Sequence, residues 1–501
     1  MFVFVACAAA GLVPEISSSV MTQIMFSASR EFQAPPSALQ MMISVSKLMF
    51  AALVLTGGRL GDLYGRRKML LIGTAGIGSA ALACAGSPSI ELLVVARALD
   101  GVFSALVTPL ALALVVFSAE EKERPAVIGM YISIMGIAAL SIPYLAGSLL
   151  ELVHWRVVFL VTAVFAMVGI LLMWRLVSSE PISKSGARLD FPGSILCAIG
   201  LTSFVYGLIQ SNPLGWNSPV VWFCVLGGLL ILVLFVFWEL RASQPLIDFK
   251  LFQNRTFSIA IMAGMVIPFV GAGLYVPFLS YFRLLRESSP STAALLVMPL
   301  PLAAALLSPV AGKLARNGSP RALMSLGLLL MATGAFTLGW IRVDTPYVML
   351  VIPMLLIGGG TAFALTSRTS VVMSSVTPDF SGAASGINTA SGKLGSALGT
   401  ALLSTIFIGI GRNNYLERMS STNLSMDQIR EATLAWRAAR NSSALDTLDL
   451  PDHLVSQIES SFKSAFAYGL GRTEWIASLL LFGSAALVWF VLKSRADRPL
   501  A

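Results

Sequence analysis

The chain has 501 residues, of which 56% are hydrophobic and only 12% charged, and its mean hydropathy is +0.81. A soluble protein carries roughly 25% charged residues, so the composition excludes an ordinary globular domain and indicates a protein that crosses the membrane many times. The formal net charge of +9 comes from basic residues scattered over short loops. This pattern indicates membrane topology rather than a nucleic-acid partner.

Apolar windows of about 20 residues recur fourteen times, as expected for fourteen transmembrane helices. The predicted spans are 2–25, 37–57, 68–87, 90–117, 126–150, 157–178, 191–210, 219–239, 256–282, 292–312, 322–341, 346–367, 383–411 and 472–492. An even number of spans places both termini on one side. The loops of that side carry nineteen Lys and Arg residues, against five in the short outer loops. This asymmetry predicts cytoplasmic termini in the inner or plasma membrane.

Each of the first two spans contains one charged side chain, an acid in the first and a lysine in the second. Glu15 lies mid-span directly after Pro14, which should loosen the local backbone. A carboxylate in such a segment can load and release a proton as its access to water changes. Lys47 lies mid-span in the second helix, where it could pair with Glu15 or Asp100, or titrate itself. Lys393, in the thirteenth span, is expected to snorkel towards the interface.

The stretch "GGRLGDLYGRRK", residues 57–68, follows the second span. Gly58 and Gly65 permit close helix approach and a tight turn, while Asp62 lies beside the basic residues Arg66 and Arg67. Such a group can join two bodies through charge and helix-dipole contacts that form in one state and break in another. The alternative reading is a topology anchor made by the basic residues alone.

The fourth span carries only two charges, Arg97 and Asp100, in "LVVARALDGVFSALV". They are three positions apart and therefore share one helix face. A charge at the bilayer centre costs about 2.5–3.5 kcal/mol on insertion scales, so the pair needs an explanation. Asp100 either neutralises Arg97 for insertion, or the two act as a proton relay or substrate counter-ion.

These stretches resemble the major facilitator superfamily, and the fourteen spans resemble its drug/proton antiporter branch of EmrB/QacA-like proteins. The 57–68 stretch is similar to the superfamily's signature between helices two and three, with Leu63 where a basic residue is common. "RLDFPG" (188–193), "PLIDFKLFQNRTF" (245–257) and "INTASGKLGSALGTAL" (387–402) resemble other segments of the branch. The resemblance implies an all-α fold of two six-helix halves plus two inserted helices.

The resemblance also implies roles for individual residues. Arg97 would assist proton transfer, with Asp100 replacing the glutamine usual in that motif, and Glu15 would correspond to an acid in the first helix. Pro143 and Gly147 match part of a Gly/Pro-rich bend in the fifth helix that is thought to seal against leak. The expected domains are 1–180, 181–245 with the inserted helices, and 246–501. "SPVAGKLARNGSPR" (308–321) echoes the 57–68 stretch, with Arg316 where an acid would lie.

The long outer loop at 412–471 should hold one or two amphipathic helices, because Pro451 precedes apolar residues at helical spacing. The interpretation is a lid on the bundle rather than a partner-docking site. The sequence contains no phosphate-binding Gly-Lys-Ser/Thr loop and no metal-ligand spacing, so we expect no enzyme activity, cofactor or metal.

The leading hypothesis is a proton-driven exporter of small lipophilic or amphipathic compounds, working as a monomer, with a periplasmic adaptor protein as a possible partner. A specific exporter or symporter of an endogenous metabolite is the alternative.

Overall fold

The computed structural model describes residues 2–32, 36–177, 189–242, 245–247, 249–288, 290–377, 380–420 and 452–491. Every regular element within these ranges is a helix. The first eight are α1 (Phe2–Phe32), α2 (Pro36–Tyr64), α3 (Arg66–Ala85), α4 (Ile90–Phe117), α5 (Arg124–Leu152), α6 (Trp155–Leu176), α7 (Phe191–Leu214) and α8 (Pro219–Glu239). The others are α9 (Lys250–Gln253), α10 (Arg255–Ser280) with a π-helical turn at Tyr281–Leu285, α11 (Pro290–Val297), α12 (Pro299–Asn317), α13 (Pro320–Leu338), α14 (Tyr347–Ser374), α15 (Ser381–Ser420) and α16 (Asp452–Val491).

Fourteen of these helices have at least 19 residues, which agrees with the number of predicted spans. Eleven helices of the described chain are both long enough and apolar enough to cross a membrane. The long helices outside that group are α2, α5 and α12. Large apolar side chains cover the outside of the bundle, as on α8, where Phe223 is 80% exposed. A lipid environment explains this surface, since lipid carries no penalty for exposed apolar groups.

The helices α1–α6 pack on one another, and so do α10 and α12–α16. Two interfaces join these groups. The first seam is the contact of α2 with α15, and the second seam is the contact of α5 with α12. The α7–α8 hairpin lies against the first seam, because α7 packs on both α2 and α15. We call the side of the bundle that carries the α2–α3 junction the loop face.

The structure changes several predicted boundaries. The inserted helices begin at the predicted residues 191 and 219, but α2 continues to Tyr64. Most of the 57–68 stretch is therefore helical rather than a loop. The chain turns only at Gly65, whose φ of 93° is in the left-handed region that favours glycine.

The amphipathic helix predicted after Pro451 is present, but it is part of the last long helix rather than an element of an outer loop at 412–471. The helix α15 runs on to Ser420, and α16 begins at Asp452, directly after Pro451, and continues to Val491. Ile458, Phe462 and Phe466 are buried against the bundle as the apolar spacing indicated. They belong to an extension of the last long helix, because nothing in its sequence ends the helix before the apolar span. Residues 421–451 lie outside the described residues.

Candidate functional site

A cavity of about 510 Å³ lies between α1, α2, α4, α7 and α15, and therefore beside the first seam. Four titratable side chains line it: Glu15, Lys47, Asp100 and Lys393. Most of the remaining wall is formed by the hydroxyl groups of Ser and Thr residues and by apolar side chains of α7. The structure thus brings together three of the four residues predicted for proton coupling, with Arg97 directly behind the wall.

Arg97 and Asp100 form a buried ion pair, with 3.0 Å between Nη1 and Oδ2. Both side chains are at most 3% exposed. Ser17 of α1 donates a hydrogen bond to Oδ1 of Asp100 (2.7 Å), and Ser46 of α2 donates to Oδ2 (2.8 Å). Arg97 also donates to Oγ of Ser17 at 2.8 Å. One carboxylate therefore links α1, α2 and α4 through two hydrogen bonds and an ion pair.

The other predicted coupling residues remain without ion pairs among the described residues. Glu15 follows Pro14 inside α1 and faces the cavity, but it makes no salt bridge to Lys47 there. The predicted pairing of Lys47 with Glu15 or Asp100 is therefore absent, since the carboxylate of Asp100 is already held by Arg97. The prediction that Lys393 extends towards the membrane interface is not met in the structure. Lys393 lines the cavity, with its Nζ 5.4 Å from the ring centre of Phe50.

Asp62 joins the two helix groups at the loop face of the first seam. Its carboxylate accepts hydrogen bonds of 2.9 Å from the backbone N–H groups of Gly382 and Ala383, at the beginning of α15. The helix dipole favours an anion at this position. Gly58 and Gly382 touch through their backbones, and a Cβ atom at either would collide with the carbonyl oxygen of the other.

The basic residues of the stretch have different partners. Arg66 donates from Nε to Asp62 at 3.3 Å and lies over the ring of Phe117, at the end of α4. Arg67 donates to the carbonyl oxygen of Trp174 at 3.0 Å, so it ties α3 to the end of α6. Of the two arginines, Arg66 therefore lies beside the seam.

The second seam has an arrangement of its own at the same face. Arg316 of α12 lies 2.7 Å from Glu123, the residue that precedes α5. Gly129 of α5 and Gly312 of α12 allow backbone contact, as Gly58 and Gly382 do at the first seam. Phe117 connects the seams, because Arg66 and Arg124 both lie over its ring, at 5.8 and 4.5 Å.

The fifth-helix residues Pro143 and Gly147 lie within α5, which is continuous from Arg124 to Leu152. Their surroundings lie outside the part of the chain that the structure describes. The sealing role of this motif stays a prediction.

Sequence reasoning missed several polar groups of the site. It assigned Arg368 to a loop, whereas α14 extends past it and buries it at 1% exposure. The guanidinium donates to the carbonyl oxygen of Asn388 and to Oγ of Ser391, both on α15. Ser17 and Ser46 were also missed, because isolated serines in helices carry no distinguishing sequence signal. A longer window for span twelve would have placed Arg368 inside the helix.

A bundle of two six-helix groups, closed at one face and with a cavity lined by charged side chains at their interface, defines a membrane transporter. The family model "Major Facilitator Superfamily" matches residues 3–400. The chain belongs to the major facilitator superfamily and is an integral membrane protein, as the sequence resemblance indicated.

Curated relatives agree with this assignment. The puromycin resistance protein pur8 of Streptomyces alboniger is 30% identical over 98% of this chain and 90% of its own length. The multidrug efflux pump LfrA of Mycolicibacterium smegmatis is 30% identical over 89% of this chain and 87% of its own length. Across the relatives compared, the alignments cover 61% to 90% of the relatives' lengths.

The fold is also that of solved transporters. A crystal structure of a double-tryptophan mutant of XylE superposes with a TM-score of 0.62 and 16% identity, covering 99% of this chain and 96% of that one. At this identity the likeness concerns the fold alone.

Proposed function

We propose that the protein exports small lipophilic or amphipathic compounds in exchange for protons, by alternating access between two six-helix halves. The single observation that carries this proposal is the Arg97–Asp100 ion pair, which is buried beside the cavity and holds α1, α2 and α4 together. The relatives support it, since they include a multidrug efflux pump and a puromycin resistance protein.

The positive-inside rule makes the loop face cytoplasmic in this proposal. Both seams are closed there, through Asp62 at the first and through Glu123 with Arg316 at the second. Rocking of the halves, 1–180 against 246–501, would break these contacts and open the cavity to the cytoplasm. The inserted segment 181–245 would accompany this motion along the first seam.

Protonation of Asp100 supplies the coupling step. A neutral Asp100 cannot balance Arg97, and its oxygens accept hydrogen bonds from Ser17 and Ser46 more weakly. Because these contacts join three helices, the loss of the charge changes the relative free energies of the two conformations. Glu15 is a second carboxyl group in the same cavity that can take up a proton.

The driving force is sufficient for this task. Moving one charge through 100 mV is worth about 2.3 kcal/mol, and a tenfold gradient requires about 1.4 kcal/mol. One proton would therefore sustain a gradient of roughly fiftyfold at that potential. The functional unit is proposed to be a monomer without a cofactor, with a periplasmic adaptor as an optional partner.

Susceptibility of a pump-deleted bacterial host tests the proposal. Cells that produce the wild type should tolerate higher concentrations of at least one toxic compound in a panel than cells with Asp100→Asn or Glu15→Gln, at equal protein level in the membrane. Everted vesicles should take up that compound only when a proton gradient or a membrane potential is applied. Unchanged susceptibility to every compound would contradict export.

Specific symport of an endogenous metabolite is the second candidate, and the charged residues Lys47 and Lys393 in the cavity favour it. Uptake of labelled metabolites into right-side-out vesicles, driven by an inward proton gradient, would distinguish it from export.

A further inference from the structure

The cavity, taken together with the arginines directly behind its wall, carries an excess of positive charge. Lys47 on α2 and Lys393 on α15 both line it, and no carboxylate of the described chain lies within ion-pair distance of either ammonium group. The two lysines come from opposite helix groups, so the first seam places two like charges in one space.

A third cation lies directly behind this wall. Arg368 is buried, and its hydrogen-bond partners among the described residues are neutral oxygen atoms of Asn388 and Ser391. These two residues flank Ala390, which itself lines the cavity. Glu15 offsets part of the positive charge, whereas the charge of Asp100 is balanced by Arg97. The site as a whole is positive even when Glu15 is ionised.

The remaining wall is apolar on one side. Leu201, Val205, Leu208 and Ile209 of the inserted helix α7 face the cavity, and Phe50 of α2 adds an aromatic ring. A ligand that satisfies these surroundings needs a negative group for the lysines and an apolar body for α7. Lysines without ion-pair partners among the described residues, together with an apolar wall in the same cavity, select such a molecule against a lipophilic cation, which the lysines repel.

We infer that the cavity binds amphipathic organic anions, with the anionic group between Lys47 and Lys393 and the apolar body against α7. This inference rests on the proposed transport function and names its substrate class. It has a consequence for energetics, because exchange of an outgoing anion for an incoming proton moves two charges per cycle. An inside-negative potential drives both of them.

Binding to the full chain in lipid nanodiscs tests this inference, with empty nanodiscs as the blank. The probes are 8-anilinonaphthalene-1-sulfonate, N-phenyl-1-naphthylamine, which lacks only the sulfonate, and the cation ethidium. Lys47→Gln and Lys393→Gln should each weaken binding of the sulfonate about tenfold and change binding of the uncharged amine less than twofold. Lys47→Arg should retain sulfonate binding, and Glu15→Gln should strengthen it.

Lys68→Gln is the matched control, since Lys68 is an exposed lysine at the start of α3, outside the cavity. Sulfonate affinity that is unchanged in both cavity variants would overturn the inference, and so would tighter binding of ethidium than of the sulfonate by the wild type. Sulfonate binding that depends on the lysines, without any transport in vesicles, would support the inference and contradict export. Proton-driven export of ethidium that is the same in the wild type and in both lysine variants would support export and contradict the inference.

Discussion

Arg316 of α12 lies 2.7 Å from Glu123, so an ion pair joins the second seam at the loop face. The superfamily signature at 57–68 places an acid, Asp62, at the first seam, and the related stretch at 308–321 has Arg316 instead. The acidic and basic positions are therefore exchanged. At the second seam, the acid Glu123 lies directly before α5, and α12 carries the cation Arg316. Each seam therefore has a carboxylate at the beginning of a helix, where the helix dipole favours a negative charge.

Charge exchange at this pair should test its role in closing the loop face. Glu123→Arg places two cations together and should favour the open face, whereas Glu123→Arg with Arg316→Glu should restore closure. The side chains are 41% and 47% exposed, so we expect an effect of about 0.2–1 kcal/mol, up to roughly fivefold in the ratio of states. Double electron–electron resonance between spin labels at Lys68→Cys and Ser319→Cys would measure the ratio of open to closed states. Equal distances in the single and double variants would contradict this role.

Asp62→Asn should weaken the first seam more strongly. The carboxylate accepts two backbone N–H groups and is 2% exposed, and hydrogen bonds to charged groups contribute about 1.5–3 kcal/mol each. We expect a clear shift to the open loop face and a loss of most transport, both read by the same label pair and by vesicle uptake. Arg67→Gln is the control, because its hydrogen bond to Trp174 lies away from the seam.

Gly382→Ala should have the same effect for a steric reason. The added Cβ atom would collide with the carbonyl oxygen of Gly58 and with the carboxylate of Asp62, so α2 and α15 must separate. Gly409→Ala on the same helix meets open space and serves as the matched control. Normal transport by Gly382→Ala would show that the backbone contact is not required.

Asp100→Asn should lower both stability and coupling, and a second substitution should separate the two effects. Removal of one partner from a buried ion pair costs about 3–5 kcal/mol, because Arg97 keeps an unbalanced charge. Arg97→Gln with Asp100→Asn removes both charges and should regain much of the melting temperature, while transport stays independent of pH. Full proton coupling in the stable double variant would exclude Asp100 as the proton carrier.

The acid sensitivity of the opposite face should depend on Glu31. Its carboxylate pairs with Arg156 and accepts a hydrogen bond of 2.6 Å from Trp155. The hydrogen bond from Arg156 lowers the pKa of Glu31 from 4.5. A lowered pKa means that the pair stabilises the fold above pH 4.5 and that this contribution is lost as the pH falls through the lowered value.

Melting temperatures of wild type and Glu31→Gln should therefore differ at pH 6 and converge as the pH falls from 4.5 through the lowered pKa of Glu31. The carboxylate is 35% exposed, so solvent screening limits the difference to about 1 kcal/mol or less. Glu120→Gln, an exposed carboxylate between α4 and α5, is the control. A constant difference at all pH values would mean that the charge of Glu31 does not contribute.

The sequence alone determined the membrane class, the fourteen long helices and the beginnings of the two inserted helices. These properties follow from local composition, because each span must satisfy its backbone hydrogen bonds within itself and present apolar side chains to lipid. It also identified the Arg97–Asp100 pair, since residues three apart on a helix share a face.

Only the tertiary structure decided the partners that lie far apart in the chain. Asp62 contacts Gly382, which is 320 residues away in the chain, and Lys47 and Lys393 line one cavity. Arg368 lies in a part of α14 that extends beyond the predicted apolar span. Spacing within a span cannot specify such contacts, because they depend on how complete helices pack and on which faces the two seams bring together. The physical reason is that ion pairs and hydrogen bonds form between groups that are close in space. The packing of the whole bundle decides which groups are close.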